Sequence, residues 1–177
     1  MKKIILLLSL WLLALPVLSD PLHDAVEEGT VEQARRLLES GINVNARDDD
    51  GETALHEAAE AGRLEMVILL VEAGATRGVR DVEGETPVHE AAEDGHLEVV
   101  KYLVLHGAPI NIINTNDDEG RSALHLAIAE KKEGVALFLI SAGAGLGYRT
   151  EDLKSALDMA KASGQTAVVQ AIESRHP

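Results

Sequence analysis

A short sequence pattern that returns along the chain constrains the fold more than any other feature. GETALHEAAEAG begins at Gly51, GETPVHEAAEDG begins at Gly84, and GRSALHLAIAEK begins at Gly120. A partial copy, SALDMA, begins at Ser155, and an early fragment, LHDAVEEG, begins at Leu22. Self-similarity at such a regular period is typical of a stacked array of small units rather than of one globular core.

The pattern predicts two short helices and a turn in every unit. In residues 53–61, small apolar residues recur at helical spacing, which predicts a short amphipathic helix. Gly62 ends it, and the more apolar residues 64–71 predict a second helix that ends at Gly74. The polar residues that follow, bounded by glycines, predict a protruding turn. Neither helix can bury its apolar face alone, so the units must stack.

These residues resemble the ankyrin repeat. The family signature Thr-Pro-Leu-His-x-Ala is matched by TPVHEA at residues 86–91 and by TALHEA at residues 53–58, and the later halves GRLEMVILLVEAGA and GHLEVVKYLVLHGA match as well. The resemblance covers Leu22 to about Ile172 and implies an all-α solenoid of about five helix-turn-helix units joined by protruding turns. The implied units are an N-terminal cap at 22–50, three units at 51–83, 84–119 and 120–152, and a C-terminal cap at 153–177.

Unit four departs from the pattern at the turn between its helices. Lys131 stands where the other units have Gly62 and Gly95. Either the lysine adopts a left-handed conformation, or the turn moves toward Gly134.

The segment at 1–19 has the layout of a secretory signal peptide. A basic start at positions 1–3 precedes an apolar run at 4–18, and Val17 and Ser19 are the small residues expected before a cleavage site. Cleavage after Ser19 leaves a domain at 20–177. The apolar run is shorter than the roughly 20 residues that a membrane helix needs, although an uncleaved anchor is the alternative.

Net charge and cysteine content limit the cellular compartment and the class of binding partner that we expect. The chain has no cysteine, which for an exported protein favours the bacterial periplasm, with secretion to the medium as the alternative. Loss of Lys2 and Lys3 with the signal peptide would move the net charge from -14 to -16. Such a charge argues against nucleic acid and against anionic membranes, and it favours a protein partner with a basic surface. We expect a monomer.

No catalytic site, metal site or cofactor is predicted. His23, His56, His89 and His125 recur once per unit, and the resemblance implies that they tie adjacent turns together by hydrogen bonds. HEAAE lacks the second histidine of a zinc-protease helix. The acidic run at 48–52 lacks the glutamate that a calcium-binding hand loop has at its twelfth position. We therefore expect a protein that is not an enzyme.

The acidic residues fall on the turn tips and on the exposed side of the first helix of each unit, which the resemblance assigns to a concave binding surface. Most basic residues lie in other parts of the units. The interpretation as a binding surface competes with the simpler one that a soluble repeat array needs charge. The acidic candidates are Asp49, Asp50, Glu52, Glu57, Glu60, Asp81, Glu83, Glu85, Glu90, Glu93, Asp94, Asp117, Asp118 and Glu130.

Three further candidates are apolar or aromatic anchors. The loop from Gly107 to Gly120 is three residues longer than its equivalents and contains Ile112 and Ile113 where polar residues are expected. These side chains either form an exposed anchor or fold onto the next unit. Tyr148, in the turn of unit four, offers contact area together with a hydroxyl group.

The function that the sequence favours is a non-catalytic periplasmic binding module for a basic-faced protein. The resemblance to small exported bacterial ankyrin proteins suggests an inhibitor or immunity protein of a periplasmic enzyme. The alternatives are an accessory that protects an oxidative-stress enzyme such as a catalase, and a secreted effector that acts on a host protein.

Overall fold

The computed structural model describes residues 21–114, 120–150 and 154–175. Within them the chain forms ten α-helices, two for each unit. Their bounds are α1 (Pro21–Glu27), α2 (Val31–Glu39), α3 (Ala54–Glu60), α4 (Leu64–Glu72), α5 (Pro87–Asp94), α6 (Leu97–Leu105), α7 (Ala123–Ala129), α8 (Glu133–Ser141), α9 (Ala156–Ala162) and α10 (Thr166–Arg175).

The helices stack in two layers. The first helices of the units, α1, α3, α5, α7 and α9, pack each against the next, and the second helices α2 to α10 do the same. Each first helix also packs on the second helix of its own unit. The predicted all-α solenoid is therefore confirmed, with the apolar core running as a continuous column between the layers.

A capping box starts each first helix of the three central units. Thr53, Thr86 and Ser122 are the N-cap residues, and the N3 residue whose side chain returns to the N-cap backbone is a histidine in all three. Pro87 adds a preset φ in the first turn of α5, where its missing N–H costs nothing. The recurring Thr/Ser-x-x-His pattern is thus a helix start signal.

Small residues on the first helices let the layers approach closely. Ala58, Ala91 and Ala127 are fully buried, and larger side chains of both layers, such as Leu55 and Met66, fill the column. Burial of apolar surface stabilises the stack by about 0.8 kcal/mol for each buried CH₂ group, which favours stacking at every unit boundary.

The turn between the helices of unit four keeps the left-handed geometry of its neighbours. Gly62 and Gly95 have φ of 65° and 85°, and Lys131 has φ of 57°. Of the two alternatives, the left-handed lysine is therefore observed, and Gly134 lies inside α8 instead.

The protruding turns are short hairpins whose register locates the insertion. In each hairpin the backbone N–H of one residue donates to the carbonyl of a residue near the next first helix. The pairs are Asp48 to Glu52 at 3.0 Å, Asp81 to Glu85 at 3.0 Å, Asn114 to Arg121 at 2.7 Å, and Thr150 to Lys154 at 3.0 Å. Because only the third pair is wider in sequence, the three extra residues fall after Asn114.

The predicted signal peptide lies outside the described residues. Among the helices that are described, none combines the length and the apolar character that crossing a membrane requires.

Candidate functional site

The aspartates of the hairpins hold the turns in shape. Asp48 Oδ1 accepts from the backbone N–H of Asp50 at 3.0 Å and from that of Glu52 at 2.8 Å. Asp81 Oδ1 accepts from the N–H of Glu85 at 2.8 Å. An aspartate that accepts from nearby backbone in this way makes an Asx-turn, and it leaves its second carboxylate oxygen for other contacts.

Two arginines brace neighbouring hairpins rather than neutralise the acids around them. Arg47 donates to the carbonyl of Gly51 at 2.8 Å and to that of Arg80 in the next hairpin. Arg80 donates to Gly84 O at 3.0 Å and to Ile113 O at 2.8 Å. These two cations are thus held at backbone carbonyls along the row of hairpins.

The central histidines are structural, as the resemblance implied. His56 Nδ1 accepts from the N–H of Thr53 at 3.0 Å, so Nε2 carries the proton and donates to Val79 O at 3.1 Å. His89 repeats the arrangement toward Ile112 O at 3.1 Å. Burial lowers the pKa of His56 below its usual range, with Asp81 acting in the opposite direction. The predicted role is confirmed at both positions.

Eight carboxyl groups line one concave pocket between units two and three, which we call the acidic pocket. Its volume is about 290 Å³. Within the described part of the chain no lysine or arginine lines it. The lining residues, all predicted as candidates, are Glu52, Glu60, Asp81, Glu83, Glu85, Glu90, Glu93 and Asp94.

The floor of the acidic pocket is more buried than the sequence suggested. Glu90 is 9% exposed and Glu85 is 8% exposed, so the expectation of an exposed helix face is wrong for Glu90. The reason is that hairpin and helix side chains of both units surround it. Asn114 donates to Glu85 Oε1 at 2.8 Å, whereas Glu90 Oε2 is buried without a hydrogen-bond partner in the described part of the chain.

Burial and mutual repulsion raise the pKa of several glutamates in the acidic pocket, which makes these glutamates weak acids. Burial, followed by the charge of Glu52, raises the pKa of Glu90 to about 10. Burial and Asp48 raise the pKa of Glu52 to about 7. Burial raises the pKa of Glu85 to about 6, although the hydrogen bond from Asn114 lowers it. At neutral pH the acidic pocket therefore retains protons that a cation would displace.

The remaining acidic candidates lie outside the acidic pocket. Asp49 and Asp50 are exposed in the first hairpin, and Glu130 is exposed at the end of α7. Glu57 is half-buried one unit before Glu90, and burial raises its pKa to about 7. Asp117 and Asp118 fall outside the described residues, so their role in binding stays a prediction.

The two isoleucines are not the tip of an exposed finger. Ile112 and Ile113 precede the insertion, and both side chains are half-buried. Their carbonyls accept from His89 of unit three and Arg80 of unit two, which holds this part of the loop in place. Of the two alternatives, the exposed anchor is not observed for this pair, because the hydrogen-bonded register places them at the base of the loop.

Tyr148 is half-buried as well, and its ring lies directly over Gly145 in the same turn. Only a residue without a side chain fits beneath it. The ring therefore shapes this turn, and its part in partner binding stays a prediction.

The structure brings together two groups of possible metal ligands that were not predicted from the sequence. His23, Asp48 and Glu57 form one, and their donor atoms lie within 4.8 Å of one another. His56, Asp81 and Glu90 form the other, at the same spacing. The signal was present in the sequence, because each member of the first group recurs one repeat later in the second. The prediction tested only known metal motifs along a single helix or loop and so missed groups assembled from neighbouring units.

Two family models match this chain. A model described as ankyrin repeats in three copies matches residues 73–152, and one described as ankyrin repeats in many copies matches residues 22–71. No curated protein matches the chain. The matched segments contain both faces of the acidic pocket.

Proposed function

Since this chain belongs to the ankyrin repeat family, we propose that it binds a partner protein and that its acidic pocket receives basic side chains of that partner. The observation that carries the proposal is the pocket itself, in which eight carboxyl groups converge without a lining lysine or arginine in the described part of the chain. A concave site of one charge sign raises the local concentration of oppositely charged groups and speeds association.

The character of the surface also favours a protein partner over a small organic molecule. Pockets for small organic molecules are mostly apolar with a few polar groups, whereas every described residue that lines this one carries a carboxyl group. Basic side chains on a partner would reach Glu60, Glu83 and Asp94, which are exposed at its rim. The more buried glutamates would then lose their protons as the cations approach.

For the setting, we propose the bacterial periplasm, on the strength of the signal-peptide pattern at 1–19 and of the missing cysteines. An inhibitor of a basic periplasmic enzyme is the role that these features support best. Such an inhibitor would cover the enzyme's cleft with the row of hairpins and first helices.

The experiment is a pull-down from periplasmic extract with the purified protein and two charge-reversed variants. One variant carries Glu83→Lys and Asp94→Lys at the rim of the acidic pocket. Its matched control carries Glu39→Lys and Glu72→Lys, which are exposed at the ends of α2 and α4 and change the net charge by the same amount. Retained proteins are identified by mass spectrometry at low and at moderate salt.

We expect the wild type and the control to retain the same basic protein at low salt and to release it at moderate salt, because exposed charges are screened over about 10 Å at 0.1 M. The rim variant should retain none. Equal retention by both variants, or binding that survives high salt, would show that the partner does not use the acidic pocket.

A further inference from the structure

The two groups of possible ligands are the same arrangement one unit apart. His23, Asp48 and Glu57 correspond, each shifted by one repeat, to His56, Asp81 and Glu90. In each group the histidine and the glutamate come from successive first helices and the aspartate comes from a hairpin. Assembly across a unit boundary explains why a stack of units is needed to form either group.

The second group offers oxygen donors rather than nitrogen donors. Both ring nitrogens of His56 are already engaged, because Nδ1 accepts from Thr53 N–H at 3.0 Å and Nε2 donates to Val79 O at 3.1 Å. Asp81 uses Oδ1 for the hairpin, which leaves Oδ2. Such a donor set suits a hard cation, which prefers carboxylate oxygens.

Glu90 is the independent sign that this place is built to hold a ligand. Its side chain lines the acidic pocket, is 9% exposed, and has Oε2 buried without a hydrogen-bond partner in the described part of the chain. Buried polar atoms in native proteins are nearly always paired, and an unpaired one costs about 1–3 kcal/mol. Four further carboxyl groups, Glu52, Asp81, Glu60 and Glu85, act on the same carboxyl group electrostatically.

We propose that Glu90 and Asp81 are the central ligands of a divalent-cation site that takes Ca²⁺. Calcium accepts six to eight oxygen ligands in flexible geometry, so an irregular set of carboxylates and waters in a pocket of about 290 Å³ can complete its shell. Magnesium, which demands a near-ideal octahedron, fits this set less well. The cation would join α5 to the hairpin that precedes it and would neutralise the floor of the acidic pocket.

The next boundary along the stack lacks the arrangement. Leu126 stands where Glu57 and Glu90 stand in the earlier units, and Asn114 replaces the aspartate. Leu126 is fully buried. The site is therefore a property of particular residues at particular boundaries and not of the repeat scaffold as such.

The test is isothermal titration of the purified, EDTA-treated and desalted protein with CaCl₂, accompanied by melting temperatures with and without Ca²⁺. Two variants preserve the shape of the site. Glu90→Gln is close to isosteric, and Asp81→Asn keeps the Oδ1 acceptor for Glu85 N–H. Glu65→Gln, on the exposed side of α4, is the matched control. Far-UV circular dichroism establishes that all four proteins are equally folded.

We expect saturable Ca²⁺ binding and a raised melting temperature for the wild type and for Glu65→Gln. Binding should weaken by about tenfold or more in Glu90→Gln and in Asp81→Asn, as for changes that disturb a metal's ligands. Absence of binding by the wild type at millimolar Ca²⁺ overturns the proposal, as does unchanged affinity in both variants. Binding of Zn²⁺ in place of Ca²⁺, lost in His56→Gln, would also overturn it by making the histidine a ligand.

The outcome is separate from that of the proposed function, because the titration contains no partner protein. If the protein has both the calcium site and the proposed binding function, Ca²⁺ and a basic partner compete for the same carboxylates.

Discussion

Replacement of Glu90 by glutamine should make the protein more stable at neutral pH, with a gain that grows as pH rises. The folded protein keeps this side chain protonated up to a pKa of about 10, whereas the unfolded chain loses the proton near the ordinary pKa of 4.5. Stability from Glu90 is therefore fully present below about pH 4.5 and falls as pH rises toward about 10. Glutamine does not titrate, so the variant lacks this loss.

The size of the effect follows from the two pKa values. Each pH unit between them removes about 1.4 kcal/mol of the free energy of unfolding from the wild type. Between about pH 4.5 and pH 7, the free energy of unfolding of the variant should thus rise by about 3 kcal/mol relative to that of the wild type. For a chain of this length, that corresponds to a relative rise in melting temperature of roughly 6–12 °C.

The assay is urea unfolding followed by circular dichroism at a series of pH values in EDTA, for the wild type and Glu90→Gln. Glu72→Gln, on the exposed end of α4, is the control and should follow the wild type at every pH. If the free energies of unfolding of wild type and Glu90→Gln run parallel between about pH 5 and about pH 8, Glu90 is not a buried protonated acid and the reasoning fails.

Three further substitutions test the stack itself by urea unfolding or by amide exchange. Lys131→Gly should stabilise the protein by about 1 kcal/mol, because φ is 57° there and glycine bears no left-handed penalty; unchanged stability would contradict this. His89→Ala should lower the free energy of unfolding by about 3 kcal/mol, because it removes the hydrogen bond to Ile112 O and leaves a cavity. The exposed control His106→Ala should lower it by less than about 0.5 kcal/mol. Arg63→Met removes donors to carbonyls at the end of α1, so amide exchange in α1 should accelerate while that in α7 stays unchanged.

The helices and their order could be predicted because each unit carries its own helix start and stop signals in its sequence. A threonine or serine cap, a short apolar face and a glycine recur at fixed spacing. The position that glycine holds in the other units made a left-handed Lys131 one of two alternatives, and the structure shows it. Local signals of this kind need no knowledge of what lies across a boundary. They are reinforced here because each unit repeats the last.

The chemistry of the acidic pocket could be predicted only in part. The charge of the surface is visible in composition, but the burial of Glu90 depends on side chains of both unit two and unit three. The same limit applies to Ile112, whose place is set by a hydrogen bond from His89 in another part of unit three. Likewise, Arg47 braces a hairpin rather than neutralising an acid because the carbonyl of Arg80, in the next hairpin, accepts its hydrogen bond.

The change from Glu90 to Leu126 along the first helices implies an order of assembly. In an array whose units interact only with their neighbours, stability is a sum over boundaries. The boundary between units three and four gains a fully buried leucine, while the two before it carry glutamates in that place. We expect units three to five to form first and the N-terminal units to join them last, so that α3 exchanges its amide protons sooner than α7. A cation or a basic partner bound at Glu90 would then stabilise the association of units two and three, which completes the stack.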